Sequence, residues 1–436
     1  MYIIGLYTHL FKRGHIGYIY NAQSGFFGKV EEELIDILSN RDWNRIDTDT
    51  INYLIERHVI ESEKTKYDFY NMQNLKFQSR NYDQSTLGLV IAPTTACNFN
   101  CPYCFEPKLS PKTISSEKIS DLIKFIRLHE NAKRLAVTWY GGEPLLAFHK
   151  IKEIYHNLKA EDLPKISSQT MITNGSLINE EVCNFFNEVG LNSIQITIDG
   201  NEESHNKTRC FKTDRRPSFH IIYENVGLVR RLIPECKILI RVNINKNNVQ
   251  DFIDLYTKVN NDFRDDSMIR VYPGLIREDT NDGRSLAAHC IQSKDLIEIN
   301  ALLREKGILE SIFPEKQTRG CMMFSQNSYI VGPEGELYKC WNDVSVSDKI
   351  IGNISDVKSL NTTLLTRYMI CCTPFSGKCK DCKIFPICDA GCGYYRYKNL
   401  FENGIYDQCS ALKEDTILEK ALLDGTLSEI VNINPD

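Results

Sequence analysis

From residue 87 to about residue 310, short apolar runs rich in Val and Ile alternate with stretches whose apolar residues recur at helical spacing. The runs "LGLVIAP", "RLAVTWY", "SQTMITNG", "NSIQITIDG", "CKILIRVNIN" and "SMIRVYPG" read as strands. Between them "SEKISDLIKFIRLHE", "FHKIKEIYHNLKA", "NEEVCNFFNEVG", "FHIIYENVGLVRRLI" and "NVQDFIDLYTKVNN" read as helices. Repeated β/α units predict an α/β fold with a parallel sheet, closed or nearly closed into a barrel, whose chemistry sits at the carboxyl ends of the strands.

The flanks read differently. Over residues 1–85, "YIIGLYTHL" and "HIGYIYNA" predict two strands, and "KVEEELIDILSN" and "TDTINYLIERHVI" predict helices, the pattern of a winged helix, with "SRNYDQST" as a linker. Beyond about residue 315 the alternation stops and cysteines crowd between Cys321 and Cys409, so this region is expected to be built on metal rather than on a large core. The tail "DTILEKALLDGTLSEI" reads as one surface helix. The expected domains are therefore 1–85, 86–312 and 313–436.

Composition narrows the function classes. At 436 residues, 42% hydrophobic and 25% charged, the chain is a globular protein of two or three domains. A net charge of -5 gives no basic field to gather nucleic acid. The opening residues lack the pattern of a signal peptide and no run reaches about 18 apolar residues, so neither a membrane partner nor export is expected, and the location is cytoplasmic. Sixteen cysteines in such a chain argue for thiolates held by metal, because a reducing compartment does not keep structural disulfides.

The densest thiol group is "TTACNFNCPYC", with Cys97, Cys101 and Cys104 directly after a predicted strand. Three thiols leave a closed tetrahedral zinc site one ligand short, but they can hold three irons of a cubane and leave the fourth iron open. Zinc and chance remain rivals on these residues alone. "YGGEP" follows the next strand: its glycines allow close backbone approach to a ligand and Glu143 supplies a negative charge, while a tight turn opening a helix is the bland alternative. With "NG" at 174–175 and "DG" at 199–200, four loops converge on one rim.

The spacing C-x3-C-x2-C with Tyr103 before the last thiol, followed by "GGEP", resembles the signature of the radical S-adenosylmethionine (SAM) enzymes. That resemblance implies a partial (β/α)6 barrel, a 4Fe-4S cluster on Cys97, Cys101 and Cys104, and binding of SAM. Tyr103 belongs to the implied cofactor site, and Gly141, Gly142 and Glu143 would take the amino group of SAM. "TIDG" and the following His205 and Arg209 match the peptide- and protein-modifying branch, offering Thr197 for a hydroxyl contact and Arg209 for the methionine carboxylate, with Asn174 near the ribose. His205 reads equally as an ordinary surface histidine.

Cys321, Gly335, Cys340, then Cys379, Cys382, Cys388, Cys392 and Cys409 reproduce the seven-cysteine pattern of the SPASM domain. A pair of zinc ribbons is the rival, though seven thiols do not divide into two sites of four. By resemblance Cys379, Cys382, Cys388 and Cys409 complete one auxiliary 4Fe-4S cluster, while Cys321, Cys340 and Cys392 hold another that lacks a fourth thiol unless Cys371 or Cys372 reaches it. Three clusters are thus implied. Cys183, Cys210, Cys236 and Cys290 read as buried small hydrophobes.

A SPASM domain joined to a winged helix resembles the maturases of ribosomally made peptides. The implied partners are a precursor peptide bearing a leader and an external electron donor such as flavodoxin or ferredoxin, and the implied reaction is an oxidative cross-link, a thioether first. One alternative is an anaerobic sulfatase-maturing enzyme. Such enzymes usually carry an Asp after the cysteine that here is Cys340 and a Gln before GGE, where this chain has Trp341 and Tyr140, leaving Asp343 as the candidate base. The other is a non-catalytic iron–sulfur electron-transfer or scaffold protein.

Overall fold

The computed structural model describes residues 1–104, 111–264, 266–276, 290–292, 294–309, 314–317, 320–371, 377–388, 390–425 and 431–432. The chain forms two compact units: Met1–Arg80 with Gln292–Cys321 and Cys371–Asp436, and Asn81–Ile291 with Met322–Ile370.

In the first unit the opening elements are β1 (Tyr2–Ile4), β2 (Thr8–Arg13), β3 (Ile16–Asn21), β4 (Phe26–Glu31), α1 (Glu32–Asn40), α2 (Thr48–Glu56), β5 (Ile60–Ser62) and α3 (Asp68–Asn81). The stretch "KVEEELIDILSN" divides: Lys29, Val30 and Glu31 are taken by the ladder with β3, and the helix starts only at Glu32. Asp47 caps α2 by accepting from the Thr50 amide, as the sequence suggests. Helix α3 occupies residues that hold no single apolar face, and it runs into the segment that reads as a linker.

The second unit contains β6 (Thr86–Ile91), α4 (Ser116–Arg127), β7 (Arg134–Trp139), α5 (Phe148–Leu158), β8 (Lys165–Thr173), α6 (Glu180–Glu188), β9 (Ser193–Thr197), α7 (Glu202–Thr208), α8 (Phe219–Leu232), β10 (Lys237–Ile244), α9 (Val249–Phe263) and β11 (Ile269–Leu275). The six strands lie parallel in chain order, so all their carboxyl ends form one rim. This is the partial (β/α)6 barrel. It is open rather than closed: β11 is one edge, and beyond β6 the sheet continues.

After α10 (Asp295–Glu305) in the first unit, β12 (Ser328–Val331) pairs parallel with β6 and forms a hairpin with β13 (Glu336–Tyr338), which pairs with β14 (Gly352–Asn353). Helix α11 (Thr362–Ile370) closes this unit. The fully buried Lys339 donates its ammonium to the Ser325 and Ser328 carbonyls, which satisfies a charge that would otherwise be costly to bury.

The rest of the first unit holds α12 (Gly377–Lys380), α13 (Gly393–Phe401), α14 (Asp415–Gly425) and β15 (Val431–Asn432). The expected surface helix is α14, and it is not merely on the surface. Leu418 and Leu422, one turn apart, join Tyr7, Phe11, Tyr20 and Phe385 in a core, because the aromatic side chains of β2 and β3 need an apolar cover. Strand β15 adds parallel to β4, giving the sheet order β15-β4-β3-β2. Among the described residues no helix is long and apolar enough to cross a membrane.

Candidate active site

Strand β6 delivers the three-thiol loop to the rim, and backbone hydrogen bonds hold the loop to the glycine turn after β7. The Gly142 and Glu143 amides donate to the Thr94 and Ala96 carbonyls at 3.2 and 2.8 Å. Gly141 has φ +133°, and a Cβ there would lie 2.3 Å from the Thr94 carbonyl oxygen, while one on Gly142 would lie 2.4 Å from that of Ala96. Both glycines are therefore required for two loops to lie flush.

Glu143 is completely buried and faces protein. Its carboxylate accepts from the Leu145 amide (3.0 Å), the Thr173 hydroxyl (2.8 Å) and the Asn174 amide (2.7 Å). Burial pushes its carboxyl above the usual range and those three donors pull it back. The side chain ties the end of β7 to the end of β8, and the adjacent glycine backbone is what reaches the cavity.

A cavity of about 750 Å³ opens at this rim. Cys97, Cys101, Cys104, Tyr103, Gly141 and Gly142 line one side. Asn174, Thr197 and Arg209 line the next, so every sequence-expected cofactor residue except Glu143 borders one space. Burial pushes the Cys97 thiol up to about 12, which means that a metal must displace its proton.

Beside the thiols, Arg209 donates to the Tyr103 phenol oxygen at 2.9 Å, and that phenol donates to Asp199. Asn243 donates to both Tyr103 and Asp199, at 3.3 and 3.2 Å. The Arg209 guanidinium is buried, yet its Nε has no hydrogen-bond partner. A buried donor left unmade is costly, and Arg209 is one of the residues that line the cavity.

His205 corrects the surface reading: it is 0% exposed. Its Nδ1 accepts from the Asp199 amide (3.1 Å), so Nε2 carries the proton and donates to Ser218 Oγ (2.9 Å), which in turn donates to the Arg209 carbonyl. Burial, aided by the Arg209 charge, lowers its pKa to about 3. It is a neutral strut that positions both Asp199 and Arg209.

Asp343 does not face the cavity. It is buried, 3% exposed, and accepts from the Tyr368 hydroxyl at 2.6 Å. Trp341 and Asn342 line the cavity instead, with Trp341 edge-on to Tyr140 at 4.7 Å between ring centroids. Lys212, Gln195, Arg241 and Asn243 also line it and were not singled out by the sequence reading. The available signal was the polar pair in "RVN": on β10 every second residue is fully buried, so Arg241 and Asn243 share the opposite, barrel-facing side.

In the first unit Cys379, Cys382 and Cys388 pack against the aromatic core. The Cys382 thiol is pushed up by burial first, and Cys388, Cys379 and Cys409 raise it further, so these four thiols are neighbours. Cys321 and Cys392 are exposed, Cys340 is 7% exposed at the end of β13, and Cys371 is 1% exposed. Cys372 lies outside the described residues. Cys183, Cys236 and Cys290 are buried, as expected, whereas Cys210 is half-buried and close enough to Cys101 to raise its pKa. Among the described residues no three His, Cys, Asp or Glu groups converge tightly enough to hold a single metal ion. Thiolates of a cubane sit on separate corners and need no such convergence.

Residues 91–259 match the model of the radical SAM superfamily. A cysteine-type anaerobic sulfatase-maturating enzyme of Clostridium novyi is 27% identical over 75% of this chain and 94% of its own length. The structure titled anSMEcpe with bound AdoMet superposes with TM-score 0.60 at 19% identity, covering 78% of this chain and 93% of the other. Streptococcus suis SuiB, bound to precursor peptide SuiA, gives TM-score 0.51 at 14% identity over 92% and 97%. With its matched segment, its six-stranded barrel and three thiols on the rim, the chain carries a radical SAM domain and is similar to the SPASM-type maturases.

Proposed function

We propose that this protein is a peptide maturase that oxidatively cross-links a ribosomally made precursor, with a thioether as the first bond to look for. Cys97, Cys101 and Cys104 would hold the cluster whose electron cleaves SAM to methionine and a 5'-deoxyadenosyl radical able to take hydrogen from an unactivated carbon. The residues fit that cofactor pair: three thiols border a cavity of about 750 Å³, the backbone at Gly141 and Gly142 is open to a ligand, and the buried Arg209 Nε awaits an anion such as the methionine carboxylate. Tyr103, Asp199 and His205 fix that guanidinium in place. Cys379, Cys382, Cys388 and Cys409 would hold an auxiliary cluster, and an external flavodoxin or ferredoxin would supply electrons.

The observation that favours a peptide cross-link over formylglycine formation is the cavity wall after Cys340. Trp341 and Asn342 face inward, Asp343 is engaged by Tyr368, and no carboxylate lines the cavity among the described residues. A base for a substrate Cys or Ser is therefore not offered from this segment. The Clostridium novyi relative, a sulfatase-maturating enzyme, keeps the second reading in play. For leader binding, β2 is the outer strand of its sheet among the described residues and could take an extended peptide by strand addition.

Anaerobic reconstitution with SAM, reductant and the co-encoded peptide tests the proposal by mass spectrometry. Loss of two hydrogens per event in the peptide is the expected result. Conversion of a sulfatase Cys to the aldehyde, with the peptide untouched, would replace it with the second reading.

A further inference from the structure

The strands that carry the thiols and the glycines form one side of the cavity, and β9, β10 and β11 form the other. On that far side Arg241 stands directly across from Thr197, its neighbour in the β9–β10 register. Its Nε donates to Asn243 Oδ1 at 3.0 Å. Tyr272, the neighbour of Arg241 in the β10–β11 register, donates its phenol to Gln195 Oε1 at 2.6 Å. Gly274 on β11 makes this placement possible: a Cβ there would lie 2.4 Å from Arg241 Nε and 2.7 Å from Cζ. The guanidinium is thus packed among side chains and backbone of three strands, and the residue lines the cavity.

Charge then decides what it meets. Arg209, Lys212 and Arg241 line the cavity, and no Asp or Glu does among the described residues. A cosubstrate carboxylate would answer Arg209, and a cubane on three thiolates, anionic whether oxidised or reduced, would answer Lys212. Arg241 is left over, and no ion pair involving it is found among the described residues. A guanidinium enclosed by a bound substrate needs a charged acceptor, and its planar fork matches a carboxylate.

We infer that Arg241 is a specificity-determining residue that binds a carboxylate of the peptide substrate, so that the modified segment carries an acidic group next to the carbon that reacts. This rests on the peptide-maturase reading and names the substrate class within it. The carboxylate comes from an Asp or Glu side chain or from the peptide's C-terminus, and Gly274 acts as a positioning residue by leaving room for the fork.

The test is a binding selection, independent of turnover. A displayed library of random peptides, one half with free and one half with amidated C-termini, is panned anaerobically on the reconstituted holoprotein, on Arg241→Gln and on Gly274→Ala. Relative to both variants, wild type should enrich Asp and Glu over Asn and Gln by roughly ten-fold, the scale of one charge-assisted hydrogen-bonded pair. Enrichment confined to the free C-termini assigns the terminal carboxylate instead. Equal compositions on wild type and Arg241→Gln overturn the inference. Circular dichroism and iron content of each variant report folding, and Gly274→Ala probes the same site without removing the charge. Formation of 5'-deoxyadenosine by the wild-type preparation is measured separately, so loss of the radical reading and loss of this one are told apart.

Discussion

The thiols at the barrel rim and the thiols after residue 378 are placed by opposite means. Cys97, Cys101 and Cys104 sit on a loop clamped to Gly142 and Glu143 by backbone hydrogen bonds, at the end of a six-stranded parallel sheet. Cys379, Cys382, Cys388 and Cys409 sit among a four-residue helix, tight turns and a nine-residue helix, with little ladder to hold them. In the first region the protein prepares the site that metal would occupy. In the second, metal binding and folding should be one equilibrium.

The sharpest break of that contrast is Cys97→Ala. SAM cleavage should fall by roughly a thousandfold or more, to background, while thermal unfolding of the barrel is unchanged. Retained turnover, measured as 5'-deoxyadenosine, would void the assignment. Cys382→Ala should do the reverse, lowering the melting temperature by roughly 10 °C together with iron content. A melt equal to wild type would mean that this region does not depend on metal.

Gly142→Ala probes the clamp itself. With only 2.4 Å to the Ala96 carbonyl oxygen, the added methyl should cost about 1–3 kcal/mol in urea unfolding and weaken SAM binding as the two loops part. An unaltered stability would show that the loops are not in rigid contact.

The effect confined to low pH, and absent at neutrality, concerns His205. His205 is neutral in the native state with a pKa near 3, whereas in the unfolded chain it takes a proton below about 6.5. The unfolded state therefore binds more protons between those values, and stability falls as pH drops through that window, by about 3 kcal/mol at pH 4. His205→Gln should flatten the stability-versus-pH curve by nearly one proton. An unchanged slope would show that His205 is protonated when folded.

The barrel was legible because its strands alternate buried apolar residues with more polar ones and its helices keep one apolar stripe, so periods of 2 and 3.6 alternate cleanly. Strand β4 was hidden, since Val30, Leu34 and Ile37 keep helical spacing across the point where the β3 ladder ends. Helix α7 escaped notice because it is short and polar, and only its Asn201 cap marks it. The thiols and the glycine pair were legible because their chemistry is local in the chain. Arg241 and Asn243 were not, because their meaning comes from β9 and β11 on either side. Asp343 showed the reverse: near Cys340 in sequence, it is turned toward Tyr368 by the fold.

The pairing of β15 with β4 and the packing of Leu418 and Leu422 on Tyr7 and Phe11 set the timing of synthesis. At ribosomal rates the first eighty residues emerge roughly 20–70 s before the segment that covers them. For that interval a newly made chain shows bare aromatic rings to its surroundings, and helper proteins that shield such surface should govern how much enzyme a cell obtains.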